Sequence, residues 1–161
     1  MQRRTFIASS ALCTLAPSGW VCAKETSLPK AHDLRAIAQQ IGLQATPRNK
    51  VQNQPIVLLA SLPGCPYCEL VRRSYLIPYT TEQGLLSWQL DTTDYGVLMD
   101  FAGQKTSPAT WLKAKQIKIT PTVLFMNAQG DEVAPRLEGV AVPDFYGAYL
   151  DARLISARQK L

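Results

Sequence analysis

The sequence has little histidine, little cysteine and no long apolar run. His32 is the one histidine among 161 residues, and the four cysteines are Cys13, Cys22, Cys65 and Cys68. Ligands this sparse argue against a structural zinc site, which needs four, since no second cluster stands ready to complete the Cys65–Cys68 pair. No stretch is long and clean enough to cross a bilayer as a mature helix. No block of Lys and Arg, and no basic patch interleaved with aromatics, points to nucleic acid. The formal charge is only +5, and two of the positive residues, Arg3 and Arg4, sit in a segment expected to be removed. Internal repeats and low-complexity tracts are also missing, and the length has room for one domain.

That removable segment is residues 1–23. Met1 to Arg4 is a short cationic region, Thr5 to Leu15 is moderately apolar, Pro17-Ser18-Gly19 breaks it, and Val21-Cys22-Ala23 offers small residues for cleavage before Lys24. The alternative, a buried amphipathic first helix, lacks both a cap and a clear apolar face. Arg3-Arg4-Thr5-Phe6-Ile7 resembles the twin-arginine export signal, with the general secretory route left open. Export to the periplasm, with cleavage near Ala23, is therefore expected. Cys13 and Cys22 then leave with the signal, and Cys65 and Cys68 remain in a single domain over residues 24–161. A disulfide closing so short a loop adds little stability by chain entropy, so the pair suits a redox switch better than a staple.

Leu34, Ile37 and Ile41 recur at helical spacing before Gly42, which predicts a helix over 32–42. Ala45 to Gln54 reads as a connecting loop. Ile56 to Ala60 is a continuous apolar run that suits a central strand covered on both faces. Ser61 to Gly64 reads as a turn, and Pro66 stands at a first helical position. That helix is expected to pass through Glu69, Leu70 and Arg73 and to stop before Pro78. A second strand is expected over Ser87–Asp91, and Thr92 to Thr106 gives no clear pattern. Ser107-Pro108 caps a helix carrying Trp111 and Leu112. Thr122 to Met126 reads as a strand, Asn127 to Gly130 as a hairpin turn, and Glu132 to Leu137 as the returning strand. Pro143 opens a last helix whose apolar face is expected to hold Phe145, Tyr149, Ala152 and Ile155.

Cysteine at a helix N-terminus meets unpaired backbone N–H groups and the positive end of the helix dipole, both of which favour thiolate. Cys65 takes that place, and Cys68 follows about one turn later on the same face. Cys65 is thus the expected attacking thiol and Cys68 the resolving one. Glu69 suits the helix dipole but opposes a nearby thiolate, while Arg72 and Arg73 lie a turn further on. A second feature, Thr120-Pro121-Thr122, puts a proline immediately before an apolar strand, where it can hold either a cis or an ordinary trans bond.

Gly64-Cys65-Pro66-Tyr67-Cys68, then Thr120-Pro121-Thr122, then Phe125 through Gly130 and on to Gly139, resembles the thioredoxin-like superfamily. The resemblance implies an α/β thioredoxin fold, a central mixed sheet flanked by helices, with Pro121 as a cis-proline beside the cysteines and Thr120 before it. It further implies that the backbone at Thr120 and Pro121 meets an extended substrate segment by strand addition. Pro66 and Tyr67, between the cysteines, are further substrate-binding candidates, Tyr67 either offering an aromatic surface to substrates or packing half-buried. The Pro66-Tyr67 dipeptide is like glutaredoxin's. Gly64 stands where thioredoxin has tryptophan, and Leu59 falls near the place of thioredoxin's buried acid. The stretch from Cys68 to Pro121 is too short for the helical domain of the larger periplasmic disulfide oxidases.

The function this implies is a periplasmic thiol–disulfide oxidoreductase, monomeric and without a bound cofactor or metal, that reduces disulfides of exported proteins. Its partners would be protein thiols and disulfides and a membrane thiol electron carrier, not nucleic acid. Two other uses of the same residues remain open at this stage. One is a Cu(I) metallochaperone using both thiolates, and the other is a redox-inert adaptor that binds peptides.

Overall fold

The computed structural model describes residues 27–44 and 54–161. The expected leader and most of the 45–54 loop fall outside them. Helix α1 (Leu34–Gln44) runs two residues past Gly42 and is capped by Asp33, whose Oδ1 accepts from Ala36 N–H at 2.7 Å. Strand β1 (Ile56–Ser61) follows, then α2 (Pro66–Val71), a π-helical stretch (Arg72–Leu76) and α3 (Ile77–Gln83). Next come β2 (Ser87–Asp91), a short antiparallel ladder of β3 (Leu98–Met99) and β4 (Lys105–Thr106), and α4 (Pro108–Ala114). Strands β5 (Thr122–Met126) and β6 (Glu132–Glu138), a 3-10 turn (Pro143–Phe145) and α5 (Tyr146–Arg158) complete the order.

The main sheet runs β2-β1-β5-β6. β1 lies parallel to β2 and antiparallel to β5, which in turn lies antiparallel to β6, so the sheet is mixed. Every residue of β1 and β5 is buried, which is what a continuous apolar run requires of a strand covered on both faces. Alternation divides the core into two layers. Val57, Leu59, Val123 and Phe125 enter the layer under α2, α3 and α5, together with Val71, Leu76, Ile77, Leu150 and Leu154. Leu58, Ala60, Leu124 and Met126 enter the opposite layer with Leu34 and Ala38 of α1 and Trp111 and Leu112 of α4. Pro135 is tolerated because β6 is an edge strand. The other edge, β2, is covered by residues 29–31: Ala31 N–H donates to the Gln89 carbonyl at 3.0 Å and Gln89 N–H to that of Pro29 at 2.9 Å.

Two expectations about helices are corrected. The helix after Cys65 does not stop before Pro78 but continues to Gln83, where Gly84 ends it at φ +69°. The π-helical stretch Arg72–Leu76 re-phases the backbone, so Pro78 falls in the first turn of α3 and its missing N–H breaks no ladder. The buried face of α5 is Tyr146, Leu150, Leu154 and Ala157, whereas Phe145 (61% exposed), Tyr149, Ala152 and Ile155 (55%) point to solvent. Two apolar stripes compete on that helix, and contact with β6 selects the one that the spacing argument passed over. Ser61, expected in a turn, is the last residue of β1, in register with Asp91.

Candidate functional site

The C-terminal end of β1 delivers the chain to the two cysteines through one tight turn. Cys65 N–H donates to the Leu62 carbonyl at 3.1 Å across Pro63-Gly64, and Gly64 has φ +77°. Proline followed by a left-handed glycine is the type II pattern, which explains why a residue with a side chain is disfavoured immediately before Cys65. Cys65 is then the N-cap of α2 and Pro66 its first helical residue. The Cys65 sulfur replaces the usual capping oxygen, accepting from Cys68 N–H at 3.2 Å.

The two sulfurs differ sharply in access. Cys68 is 1% exposed, while Cys65 is half-buried, and both carry free thiols. Burial pushes the Cys65 thiol up. Hydrogen bonds from the Cys68 thiol, Cys68 N–H, the Thr120 hydroxyl and Tyr67 N–H outweigh it, holding Cys65 below the ordinary thiol value. Burial and the hydrogen bond to Cys65 push Cys68 above that value, against smaller pulls from Leu62 N–H and the hydroxyls of Ser61 and Thr120. Glu69 does little to oppose the thiolate directly, because its carboxylate is clamped by Arg72 and by Arg73 and held below its usual range chiefly by Arg72.

Thr120 and Pro121 close the other side. The bond between them is cis, Thr120 is half-buried with a hydroxyl that pulls both thiols down, and Pro121 is buried with its carbonyl accepting from Gly139 N–H at 2.7 Å. Pro66 and Tyr67 are exposed beside Cys65, Tyr67 by 56%. The fold therefore brings Cys65 and Cys68 into contact, with Pro66 and Tyr67 exposed beside Cys65 and Thr120 lowering both thiols. Among the described residues no three His, Cys, Asp or Glu side chains converge, so metal donors here are the two sulfurs themselves.

Sequence reasoning missed Ser61 and Arg72. Arg72 was expected to lie a turn beyond the site; instead it turns inward to Ser61 and Gln89. Its one local signal is the i, i+4 spacing from Cys68, which puts both on one helix face.

A model of the thioredoxin-like domain matches residues 44–153. No curated protein matches the sequence. Among solved structures, thioredoxin f from spinach chloroplast is 18% identical with a TM-score of 0.50, over 83% of this chain and 98% of its own. The periplasmic thioredoxin SoxS from Paracoccus pantotrophus is 24% identical, TM-score 0.42, over 63% of this chain and 96% of its own. Thioredoxin O2 from Arabidopsis thaliana is 9% identical, TM-score 0.48, over 80% and 96%. The mixed sheet with helices on both faces is the fold shared with the spinach protein. The chain belongs to the thioredoxin-like domain family and is a thiol–disulfide oxidoreductase.

Proposed function

We propose that the protein is exported to the periplasm and there reduces disulfides of other exported proteins, with Cys65 attacking and Cys68 resolving. The observation that carries this reading is the asymmetry of the pair: an accessible sulfur held toward thiolate, and a buried one whose own N–H touches it at 3.2 Å. In the first step the Cys65 thiolate attacks a substrate disulfide R–S–S–R′, forming a Cys65–S–S–R bond and releasing R′–S⁻. Cys68 then gives up its proton and attacks Cys65 Sγ. The Cys65–Cys68 disulfide forms, R–S⁻ leaves and is protonated, and two electrons have passed to the substrate. A membrane thiol carrier returns them.

Burial of Cys68 fits the resolving role, because only a partner already joined to Cys65 meets it. Leu62 and Tyr67 flank Cys65 in the chain and Ile119 precedes Thr120, and the exposed apolar side chains of all three support a polypeptide substrate laid along Thr120 and Pro121. Residues 1–23 act as the cleaved signal in this reading, and residues 24–161 as one monomeric domain.

Cys68→Ala is expected to accumulate mixed disulfides between Cys65 and its substrates. In non-reducing gels of periplasmic extract these appear as adducts that dithiothreitol dissolves, and the additional change Cys65→Ser removes them. Adducts that survive loss of Cys65, or none with Cys68→Ala, would reverse or remove the assigned roles.

A further inference from the structure

The segment from Thr92 to Val97, between β2 and β3, shows no regular pattern in sequence, yet hydrogen bonds fix it along its length. Thr92 N–H donates to the Ser61 carbonyl at 2.8 Å, at the end of β1. Asp94 N–H donates to the Asp91 carbonyl at 3.1 Å, and the Asp94 carbonyl accepts from Ala109 N–H of α4 at 2.9 Å. The Asp94 carboxylate accepts from Gly96 N–H at 2.8 Å. Leu98, which follows, is fully buried, and Met99 N–H donates to the His32 carbonyl at 3.0 Å. Held in this way, Tyr95 and Val97 are the most exposed large apolar side chains among the described residues, at 79% and 70%. Scattered exposed apolar residues are ordinary, but a tyrosine fixed beside an open groove loses little freedom when a partner covers it.

That groove, about 340 Å³, lies between Tyr95 and α4. It is at the small end of ligand pockets, ~300–1,000 Å³, and suits one or two side chains of a polypeptide. Thr92 and Tyr95 of the anchored segment, Ala109, Leu112 and Lys113 of α4, and Ile117 line it. Ala109 and Leu112 are buried, so they offer an apolar floor. No carboxylate is among the lining residues, and Asp94, next to Tyr95 in the chain, already accepts from Gly96 N–H. Lys113 is exposed and makes no ion pair or side-chain hydrogen bond among the described residues, whereas Lys115 Nζ donates to the Gly130 carbonyl at 3.2 Å and lies over Trp111. The groove thus offers an apolar surface and one unspent positive charge.

Neither cysteine lines the groove, and chain connectivity sets its distance from the candidate site. β1 and β2 run parallel and lead out at one end of the sheet, β1 toward Cys65 and β2 into Thr92. β5 is antiparallel to β1 and is entered at that same end, through Ile117 to Pro121. From Ile117 to Thr120 the chain spans at most about 11 Å. A polypeptide laid along Thr120 and Pro121, advancing about 3.3 Å per residue, therefore reaches the groove within a few residues of its cysteine. We infer that the groove between Tyr95 and α4 is a specificity subsite for the polypeptide substrate, taking an apolar side chain whose neighbour is acidic: the apolar group packs on Tyr95, Ala109, Leu112 and Ile117, and the carboxylate pairs with Lys113. The inference rests on the proposal that a substrate joined to Cys65 lies along Thr120 and Pro121.

The test uses the full chain, reduced, with Cys13→Ser and Cys22→Ser, and synthetic peptides whose single cysteine is joined to 2-nitro-5-thiobenzoate. The Cys65 thiolate attacks the peptide sulfur, the Cys65–S–S–peptide bond forms, and the coloured thiolate leaves with the electrons of the broken bond. Stopped-flow absorbance reads the second-order rate. One series places a phenylalanine followed by a glutamate about two to five residues from the cysteine, on either side, and a matched series carries alanine and lysine there. At the spacing that fills the groove, the wild type reacts about tenfold faster with the Phe-Glu peptide, the scale of covering one apolar side chain. Tyr95→Ala removes most of that preference, and Lys113→Glu reverses the choice between Phe-Glu and Phe-Lys. Both side chains are exposed, so neither substitution opens the core. No preference at any spacing, or one that survives Tyr95→Ala combined with Lys113→Glu, overturns the inference while leaving the roles of the cysteines intact. Self-association in the ultracentrifuge that Tyr95→Ala abolishes gives the groove to a second copy of the chain and also overturns it. A wild-type protein that fails to react through Cys65 with 5,5′-dithiobis(2-nitrobenzoate), which carries no peptide, overturns the assignment of the cysteines themselves and the inference with it, which is a distinct result.

Discussion

Changing Cys65 to serine abolishes disulfide exchange while leaving the fold intact. In a turbidity assay of insulin reduction by dithiothreitol, the wild type accelerates precipitation and Cys65→Ser tracks the protein-free control. The nucleophile is a thiolate, and a serine hydroxyl stays protonated under the same hydrogen bonds. The substitution is also structurally mild. Cys65 is the N-cap of α2, and its sulfur accepts from Cys68 N–H. Serine is a strongly preferred N-cap with a better acceptor atom, so the unfolding midpoint holds or rises while activity vanishes. That pairing of results separates loss of chemistry from loss of structure. Wild-type activity in Cys65→Ser would contradict the account.

The largest effect on stability is expected at Phe125. It is fully buried on β5, in the layer beneath α2 and α5. Phe125→Ala removes a large side chain from a site that cannot collapse around the gap, and should cost about 3–5 kcal/mol. That is a sizeable part of the ~5–15 kcal/mol that holds a domain together, and it appears as a lower denaturant midpoint at unchanged slope. Ile155→Ala on the outward face of α5 should stay within about 0.5 kcal/mol. If the two variants lose equal stability, α5 packs through the other face and the layer described here is wrong.

The contrast at α5 shows where sequence patterns stop being informative. Tyr146, Leu150 and Leu154 make one helical stripe and Phe145, Tyr149 and Ile155 another, and nothing local ranks them. β1 and β5 were legible because each is a largely apolar run entered from a proline, Pro55 or Pro121, and such a run has one economical fate in a mixed sheet. The two cysteines and the Ser107 cap were legible because their chemistry is local: Ser107 Oγ accepts from Thr110 N–H at 3.2 Å, three residues away. Arg72 was not legible for the converse reason. Its partners Ser61 and Gln89 lie 11 and 17 residues away, so the sequence displays an ordinary Arg-Arg pair where the fold buries one member and exposes the other. Pro78 misled in a similar way, since a π-helical stretch lets the helix continue past a residue that ordinarily ends one.

Disulfide exchange by this pair requires one sulfur to be ionised and reachable while its neighbour is neither. Iodoacetamide alkylation of the reduced protein across pH, read peptide by peptide in a mass spectrometer, measures this directly. Cys65 should be modified alone, with a half-maximal rate below the ordinary thiol value of about 8.5, and Cys68 only after denaturation. Labelling of both residues together in the native protein, or a Cys65 midpoint at or above that of a free thiol, would contradict it.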